Sequence, residues 1–197
     1  NADDTILAAA DDSGAKVWDL VTGKLLHTLT GHDGPVTALA FGKDANTLLT
    51  GGLDDEIAQW NLATGDEVRR FTGHDGDIRD IALNNGVMVS GDESGAIIVW
   101  DIDDGAPSDP FGPVTDDEKL GAVALSADGR FIASGTEDGD IKLWNAEGEE
   151  IGRFGSIEGP VGQLNFNADG SKLVSVGSDN AVTLWSVEDR EEVGKFD

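Results

Sequence analysis

One stretch of the chain holds residue types that could do chemistry. His32, Thr50, Asp54 and Trp60 place an imidazole, a hydroxyl and a carboxylate close together in the sequence. A hydroxyl beside an imidazole that a carboxylate orients is the arrangement of hydrolases that form a covalent intermediate. The catalytic hypothesis depends on whether the elements that carry these residues leave the hydroxyl open to a substrate.

Trp60 belongs to a series that recurs at intervals of roughly 40 residues, a period typical of repeated four-stranded β-sheets. Short apolar runs bounded by Asp and Gly precede each tryptophan, and such runs predict strands joined by tight hairpins. No segment carries a sustained helical period. The members of the series are Trp18, Trp60, Trp100, Trp144 and Trp185.

The second repeat illustrates the predicted strands, named a to d from first to last, which cover 36–41, 47–51, 57–60 and 67–71. The first repeat lacks a segment equivalent to strand a. The sequence therefore predicts one all-β domain over 1–197, with five antiparallel blades of which the first lacks its innermost strand. The blades are predicted over about 1–29, 36–71, 78–111, 120–154 and 161–196.

The motifs Thr30-Gly31-His32 and Trp100-Asp101 resemble the WD-repeat family, as do Thr72-Gly73-His74 and Trp18-Asp19. The resemblance implies a β-propeller, in which each blade packs flat against its neighbours. The family more often has seven blades, so we expect this chain to be part of a larger ring. The missing strands would then come from outside these residues or from another chain.

The resemblance also implies that His32, Thr50, Asp54 and Trp60 form a hydrogen-bonded chain across one blade. Because the hydroxyl and the indole would lie on central strands, we expect a buried structural network and no catalytic residue. In the third repeat Ser94 stands where the acid should be. We therefore expect only one complete network, and we expect that the protein is not an enzyme.

Members of this family usually bind partners on the face formed by the d-to-a and b-to-c connections. We expect Leu53 to anchor a partner there, and Arg79 to pair with Asp77 or Asp80. The candidate partner-binding residues are Pro35, Leu53, Asp77, Arg79, Glu93, Glu137 and Ser178.

The predicted function is a non-catalytic scaffold that binds a protein or peptide. Three alternatives stay open: an architectural or sensor module of a larger protein, an excised propeller fragment, and a glycosidase-like hydrolase in the propeller channel. The last would need two facing carboxylates, and the acids at the blade turns are too peripheral for it.

Composition further limits the classes of partner that we expect. A net charge of −26, from 39 acidic and 13 basic residues, argues against nucleic acid and against an acidic membrane surface. The chain has no cysteine, and its acid-rich turns do not fit a calcium-binding loop, so we expect no metal and no cofactor. Self-association or completion of the ring by another chain remains open. The compartment is not determined, although the sequence favours a soluble, cytoplasmic protein.

The outer strand predicted over 106–111 contains Pro107 and Pro110. Proline cannot donate to a ladder and is tolerated on an edge strand. We therefore expect this edge to be weakly paired.

Overall fold

The computed structural model describes residues 1, 3–42, 44, 46–84, 86–112, 119–178 and 181–196. These residues form eighteen strands in five antiparallel sheets and contain no helix. Each sheet is built from strands that follow one another in the chain. Sheet one contains β1 (Ile6–Asp11), β2 (Gly14–Asp19) and β3 (Leu25–Leu29); sheet two β4 (Val36–Phe41), β5 (Thr47–Gly52), β6 (Glu56–Asn61) and β7 (Asp66–Thr72); sheet three β8 (Ile78–Asn84), β9 (Val87–Asp92) and β10 (Ile97–Asp101); sheet four β11 (Leu120–Leu125), β12 (Phe131–Thr136), β13 (Ile141–Asn145) and β14 (Glu150–Arg153); and sheet five β15 (Val161–Phe166), β16 (Lys172–Gly177), β17 (Val182–Ser186) and β18 (Glu192–Phe196).

Sheet three lacks the regular fourth strand that the sequence predicts over 106–111. This segment instead makes two isolated bridges to β10, from Phe111 to Ile97 and from Pro107 to Trp100. Between the bridges, Ser108 donates its backbone N–H to the carbonyl of Val99 at 2.7 Å, and its Oγ accepts the N–H of Val99 at 3.0 Å. The two prolines explain the loss of a continuous ladder, because neither has an N–H to donate.

Four buried apolar clusters lie between successive sheets, one at each junction. At three junctions an outer aromatic ring of one sheet meets the tryptophan of the next. Phe71 and Trp100 are edge to face, with ring centroids 5.6 Å apart, and Phe154 lies 5.9 Å from Trp185. Sheets two to five thus each present their tryptophan to the preceding sheet, and this packing holds the sheets together.

Polar side chains connect the innermost strands of neighbouring sheets. Each innermost strand pairs with a described strand on one edge only. Thr37 Oγ1 of β4 donates to the carbonyl of Ile78 in β8 at 2.6 Å. From β8, Asp80 Oδ2 accepts the N–H of Val123 in β11 at 2.9 Å. Free backbone groups on an edge strand otherwise need water or another strand. These bonds therefore add polar contacts between sheets to the apolar ones.

In sheets two, three and four, the connection between the second and third strands contains a left-handed residue. Gly139 has φ of 92°, and a Cβ there would lie 2.1 Å from the carbonyl oxygen of Ile157. Asp55 takes the left-handed conformation in sheet two with φ of 63°, which aspartate tolerates better than most residues. These tight turns bring the b-to-c connections close to the incoming d-to-a connections.

Candidate functional site

The four side chains singled out in sheet two form the hydrogen-bonded chain that the resemblance implies. The Trp60 indole N–H donates to Thr50 Oγ1 at 2.8 Å, and Thr50 Oγ1 lies 2.7 Å from His32 Nε2. His32 Nδ1 lies 2.8 Å from Asp54 Oδ1. Since a carboxylate only accepts, Nδ1 carries the imidazole proton and Nε2 accepts from the hydroxyl.

Burial decides what this arrangement can do. Its order of hydroxyl, imidazole and carboxylate matches a nucleophilic triad, but Thr50 is 1% exposed and its oxygen already accepts the indole N–H. No substrate carbonyl can reach a hydroxyl enclosed in this way. The geometry supports a structural network across the sheet.

The Asp54 carboxylate is held ionised. Burial is the largest single influence on it and would raise its pKa, but the bonds from His32 and from the Asp33 N–H together lower the pKa below its ordinary value. Arg70 on β7 is also within 3.8 Å of Asp54 and donates to the carbonyl of Gly31. The outer strand therefore helps to fix the segment that carries His32.

Sheet three contains a second complete network, and the expectation of only one was wrong. His74 Nδ1 lies 2.7 Å from Asp92 Oδ2, and His74 Nε2 lies 2.6 Å from Ser90 Oγ. Ser90 also accepts the indole N–H of Trp100 at 2.7 Å. Ser94 donates to the other carboxylate oxygen of Asp92 through its backbone N–H and its hydroxyl. Ser94 thus supports the acid that it was expected to replace.

The signal for Asp92 was present in the sequence. Ser90 and Asp92 are two residues apart on β9, and residues with this spacing share a face of a strand. Burial is again the largest influence and would raise the Asp92 pKa, while His74, Ser94 and the Ala96 N–H together lower the pKa below its ordinary value.

The remaining tryptophans show how much of the network each sheet keeps. Trp144 donates to Ser134 at 2.9 Å in sheet four, and Trp185 donates to Ser175 at 2.8 Å in sheet five. In sheet one Ala8 replaces the hydroxyl, so Trp18 lacks this acceptor among the described residues; Trp18 is half-buried.

The predicted partner-binding residues lie on the connections in neighbouring pairs. Leu53 donates its N–H to the carbonyl of Pro35 at 2.9 Å, and Glu93 donates to the carbonyl of Asp77 at 2.9 Å. In each of sheets two and three, such a bond holds the incoming d-to-a connection beside the b-to-c connection of the same sheet.

The corresponding connections of sheets four and five show the same proximity. Glu137 donates its N–H to the carbonyl of Lys119 at 2.8 Å. A Cβ on Gly159 would lie 2.4 Å from Ser178 Oγ.

Arg79 pairs differently from the expectation. Its Nη2 lies 2.9 Å from Glu93 Oε2, and neither Asp77 nor Asp80 is its partner. Glu93 approaches because its backbone N–H is held by Asp77, whereas the Asp80 carboxylate accepts N–H groups of Ile81 and Val123. The one cation among the predicted residues is thus already neutralised by an acid of the same surface.

Leu53 is 37% exposed, and Asp54 and Asp55 follow it in the same turn. A small desolvation is the largest influence that raises the pKa of Asp55, and the charges of Asp77 and then Asp54 raise this pKa further. The shift shows that the connections of sheets two and three share a negative potential.

Comparison with known proteins agrees with this geometry. A family model described as "WD domain, G-beta repeat" matches residues 23–61, 65–101, 114–145 and 148–186. These segments cover most of the chain. The chain belongs to the WD-repeat family.

Three of the four WD-repeat matches, 23–61, 65–101 and 148–186, cross a junction between sheets. The segment 23–61 contains the outer strand β3 of sheet one and the strands β4, β5 and β6 of sheet two. One sequence repeat therefore links two consecutive sheets covalently.

A curated relative carries the name "Pre-mRNA-processing factor 19 homolog 2" and comes from Arabidopsis thaliana. It is 27% identical over 173 residues, which are 83% of this WD-repeat chain and 32% of the relative. The chain thus spans about a third of that protein's length.

Two other features are absent from the described residues of this WD-repeat chain. No group of three or more His, Asp or Glu side chains there is arranged to hold a metal ion. No helix in the same residues is long and apolar enough to cross a membrane.

Proposed function

We propose that this chain is a non-catalytic scaffold that binds a protein segment carrying an apolar side chain flanked by basic residues. The binding surface is the face formed by the d-to-a and b-to-c connections of sheets two and three. The observation that carries the proposal is Leu53, an exposed leucine in the turn that also holds Asp54 and Asp55, with the charge of Asp77 acting on Asp55.

The chemistry of this face favours a basic partner. Asp33, Asp55, Asp75 and Asp77 lie on the same connections, and Arg79 is occupied by Glu93. Positive side chains of a partner would be attracted by the summed negative potential. An apolar side chain packed on Leu53 would supply the central contact, since binding energy concentrates in a few central residues.

The remaining predicted residues extend the same surface. Pro35 and Glu93 lie beside Leu53 and Asp77, while Glu137 and Ser178 occupy the equivalent turns of sheets four and five. We assign them secondary contacts that fix the orientation of a longer partner.

Peptide selection tests the proposal directly. A random peptide library is selected on the immobilised chain, and the affinities of the selected peptides are measured by fluorescence anisotropy at low and high salt. We expect enrichment of Lys and Arg around an apolar residue, and affinities that fall as salt rises.

Substitutions locate the surface. Leu53→Asp should weaken binding by at least about tenfold, because it removes the apolar contact at the centre of the surface. Val68→Asp is the matched control, since Val68 is 59% exposed on the outer strand β7. Selected peptides without basic residues, or equal affinities for the two variants, would refute the proposal.

The name of the Arabidopsis thaliana relative gives a reason to test location as well. It describes pre-mRNA processing, so a fluorescent fusion should be scored for a nuclear location against the cytoplasmic one that the sequence favours.

A further inference from the structure

A polar contact between neighbouring sheets is repeated at two junctions, beside the connections between third and fourth strands. His27 Nε2 on β3 donates to the carbonyl of Leu62 at 2.9 Å, and Arg69 on β7 donates to the carbonyl of Ile102 at 3.0 Å. The two donors hold equivalent positions, because each is opposite the residue that precedes a tryptophan. A side chain of the outer strand thus fills the space between the two sheets at these junctions.

The junction of sheets four and five reverses this arrangement. Gly152 on β14 holds the position equivalent to Arg69 and has no side chain to offer. The arginine lies on the facing connection instead, where Arg190 stands at the place of Gly105. A Cβ on Gly105 would lie 2.9 Å from Arg69 Nη1, and a Cβ on Gly152 would lie 2.3 Å from Arg190 Cδ. Arginine and glycine have therefore exchanged places between the two junctions.

The exchange holds Arg190 in the left-handed conformation, with φ of 59°. Glycine adopts this conformation without steric cost, whereas arginine does not. Strained residues of this kind are found at ligand-binding sites more often than elsewhere. The equivalent residues of the first three sheets, which also have positive φ, are Gly23, Gly65 and Gly105.

The Arg190 guanidinium makes no hydrogen bond and no ion pair with the described residues. A guanidinium presents its N–H donors in a planar fork that matches a carboxylate. In a chain with net charge −26, Arg190 therefore keeps this fork available to a carboxylate from outside. The other five arginines all donate to a carboxylate or a carbonyl of the chain: Arg69, Arg70, Arg79, Arg130 and Arg153.

A cavity of about 390 Å³ lies beside Arg190, at the junction of sheets four and five. Cavities of this size hold small molecules. Asp169 and Glu188 also line it, but neither pairs with Arg190 in the part of the chain that the structure describes. The Asp169 carboxylate accepts the N–H of Ser171 at 2.9 Å instead. The apolar wall consists of Phe131, Leu143, Ile151 and Val187.

We propose that this cavity binds a small molecule with one carboxylate on an aromatic or branched aliphatic body. The carboxylate accepts two N–H groups of Arg190, and the body packs on Phe131 and Ile151. A single acidic group is favoured, because the net charge of the chain repels a ligand with more negative charge. The site adjoins the connections between first and second and between third and fourth strands, so it lies on the face opposite Leu53.

A matched pair of probes tests the role of the carboxylate. Hydrocinnamate and its uncharged amide are titrated into the isotope-labelled chain, and the backbone amide chemical shifts are followed by NMR. We expect the acid to bind at least about tenfold more tightly than the amide. The shifted signals should belong to residues around the cavity, such as Gly152, Ser171 and Val187. Equal affinities, no saturable shift, or shifts confined to the surface around Leu53 would overturn the proposal.

Single substitutions separate binding from packing. Arg190→Gln should weaken hydrocinnamate binding at least about tenfold, whereas Lys24→Gln, which removes the same charge from an exposed connection of sheet one, should change it by less than about twofold. Arg190→Gly should also lose binding, yet melt at least as high as the original chain because glycine relieves the left-handed strain. A lower melting temperature with unchanged binding would show that Arg190 only packs on Gly152 and would overturn the proposal.

A double variant reverses the exchange. Gly152→Arg combined with Arg190→Gly recreates the arrangement of Arg69 and Gly105, so the new guanidinium should donate to the carbonyl of Val187. Hydrocinnamate binding should then be lost while the melting temperature rises, and a double variant that binds the probe as well as the original chain would overturn the proposal. A capped Phe-Glu dipeptide that binds at least about tenfold more tightly than hydrocinnamate would indicate a peptide ligand and would overturn the assignment to a small molecule.

Discussion

Replacing Asp80 by Asn should make the protein more stable at neutral pH. Asp80 lies on the inner strand β8, and its carboxylate accepts N–H groups of Val123 at 2.9 Å and of Ile81 at 2.9 Å. Desolvation is the largest influence and raises its pKa from 3.8 to about 6, against the opposing effect of these two bonds. The folded protein thus holds the proton more tightly than the unfolded chain does.

The sign and size of the effect follow from this difference. Below about pH 4 the group is protonated in both states. Between about pH 4 and 6 the unfolded chain releases the proton while the folded one keeps it, so the free energy of unfolding falls as pH rises and stays lowered above pH 6. At about 1.4 kcal/mol per pKa unit the loss is at most about 3 kcal/mol.

Asparagine does not ionise, so it removes this loss of unfolding free energy, but its side chain accepts fewer hydrogen bonds than a carboxylate does. We expect Asp80→Asn to be about 1 kcal/mol less stable than the original chain at pH 4, since one bond to a backbone N–H is weakened. At pH 7.5 it should be about 1 to 2 kcal/mol more stable.

Urea unfolding at several pH values, followed by tryptophan fluorescence, measures the difference. Asp103→Asn removes the same charge from an exposed position and separates the effect of net charge from that of burial. A difference between Asp80→Asn and the original chain that stays constant from pH 4 to 8 would refute the reasoning.

Two further predictions concern the networks and the net charge. Ser90→Ala should lower the free energy of unfolding by about 2 to 4 kcal/mol, because it leaves both His74 Nε2 and the Trp100 indole N–H without the bonds described. Ser134→Ala should lower it by only about 1 to 2 kcal/mol, since it affects the Trp144 indole N–H alone; equal losses in urea unfolding would contradict the account. Sodium chloride should raise the melting temperature by several degrees, because salt screens the repulsion of a chain with net charge −26. Calorimetry measures this, with sucrose as the uncharged control, and a melting temperature that does not change with salt would count against it.

The repeat period predicted the sheets except the fourth strand of sheet three, and the resemblance to the WD-repeat family implied the network of sheet two. Tryptophans at regular intervals mark equivalent strands, and the turn residues between apolar runs mark the hairpins, so both are local properties of the sequence. The prediction over 1–197 as one domain and the partner-binding roles of the turn residues remain predictions.

What the sequence missed depended on contacts across strands. The distance from Trp100 pointed to Ser94, but the face of β9 decides the network and places Asp92 beside His74. Arg79 finds Glu93, its neighbour across a connection, instead of an acid nearby in the chain. Such proximity is set by the fold, and counting residues does not reveal it.

The irregular outer segment of sheet three has a consequence for the rim of the molecule. A partner that extends a sheet by adding its own strand needs a straight row of free backbone groups. β3, β7, β14 and β18 are continuous outer strands, whereas Pro107 and Pro110 interrupt the row on sheet three. A partner strand would therefore add to the sheets on either side of sheet three and not to sheet three itself. Sheet three thus distinguishes one position on a rim whose other outer strands resemble one another.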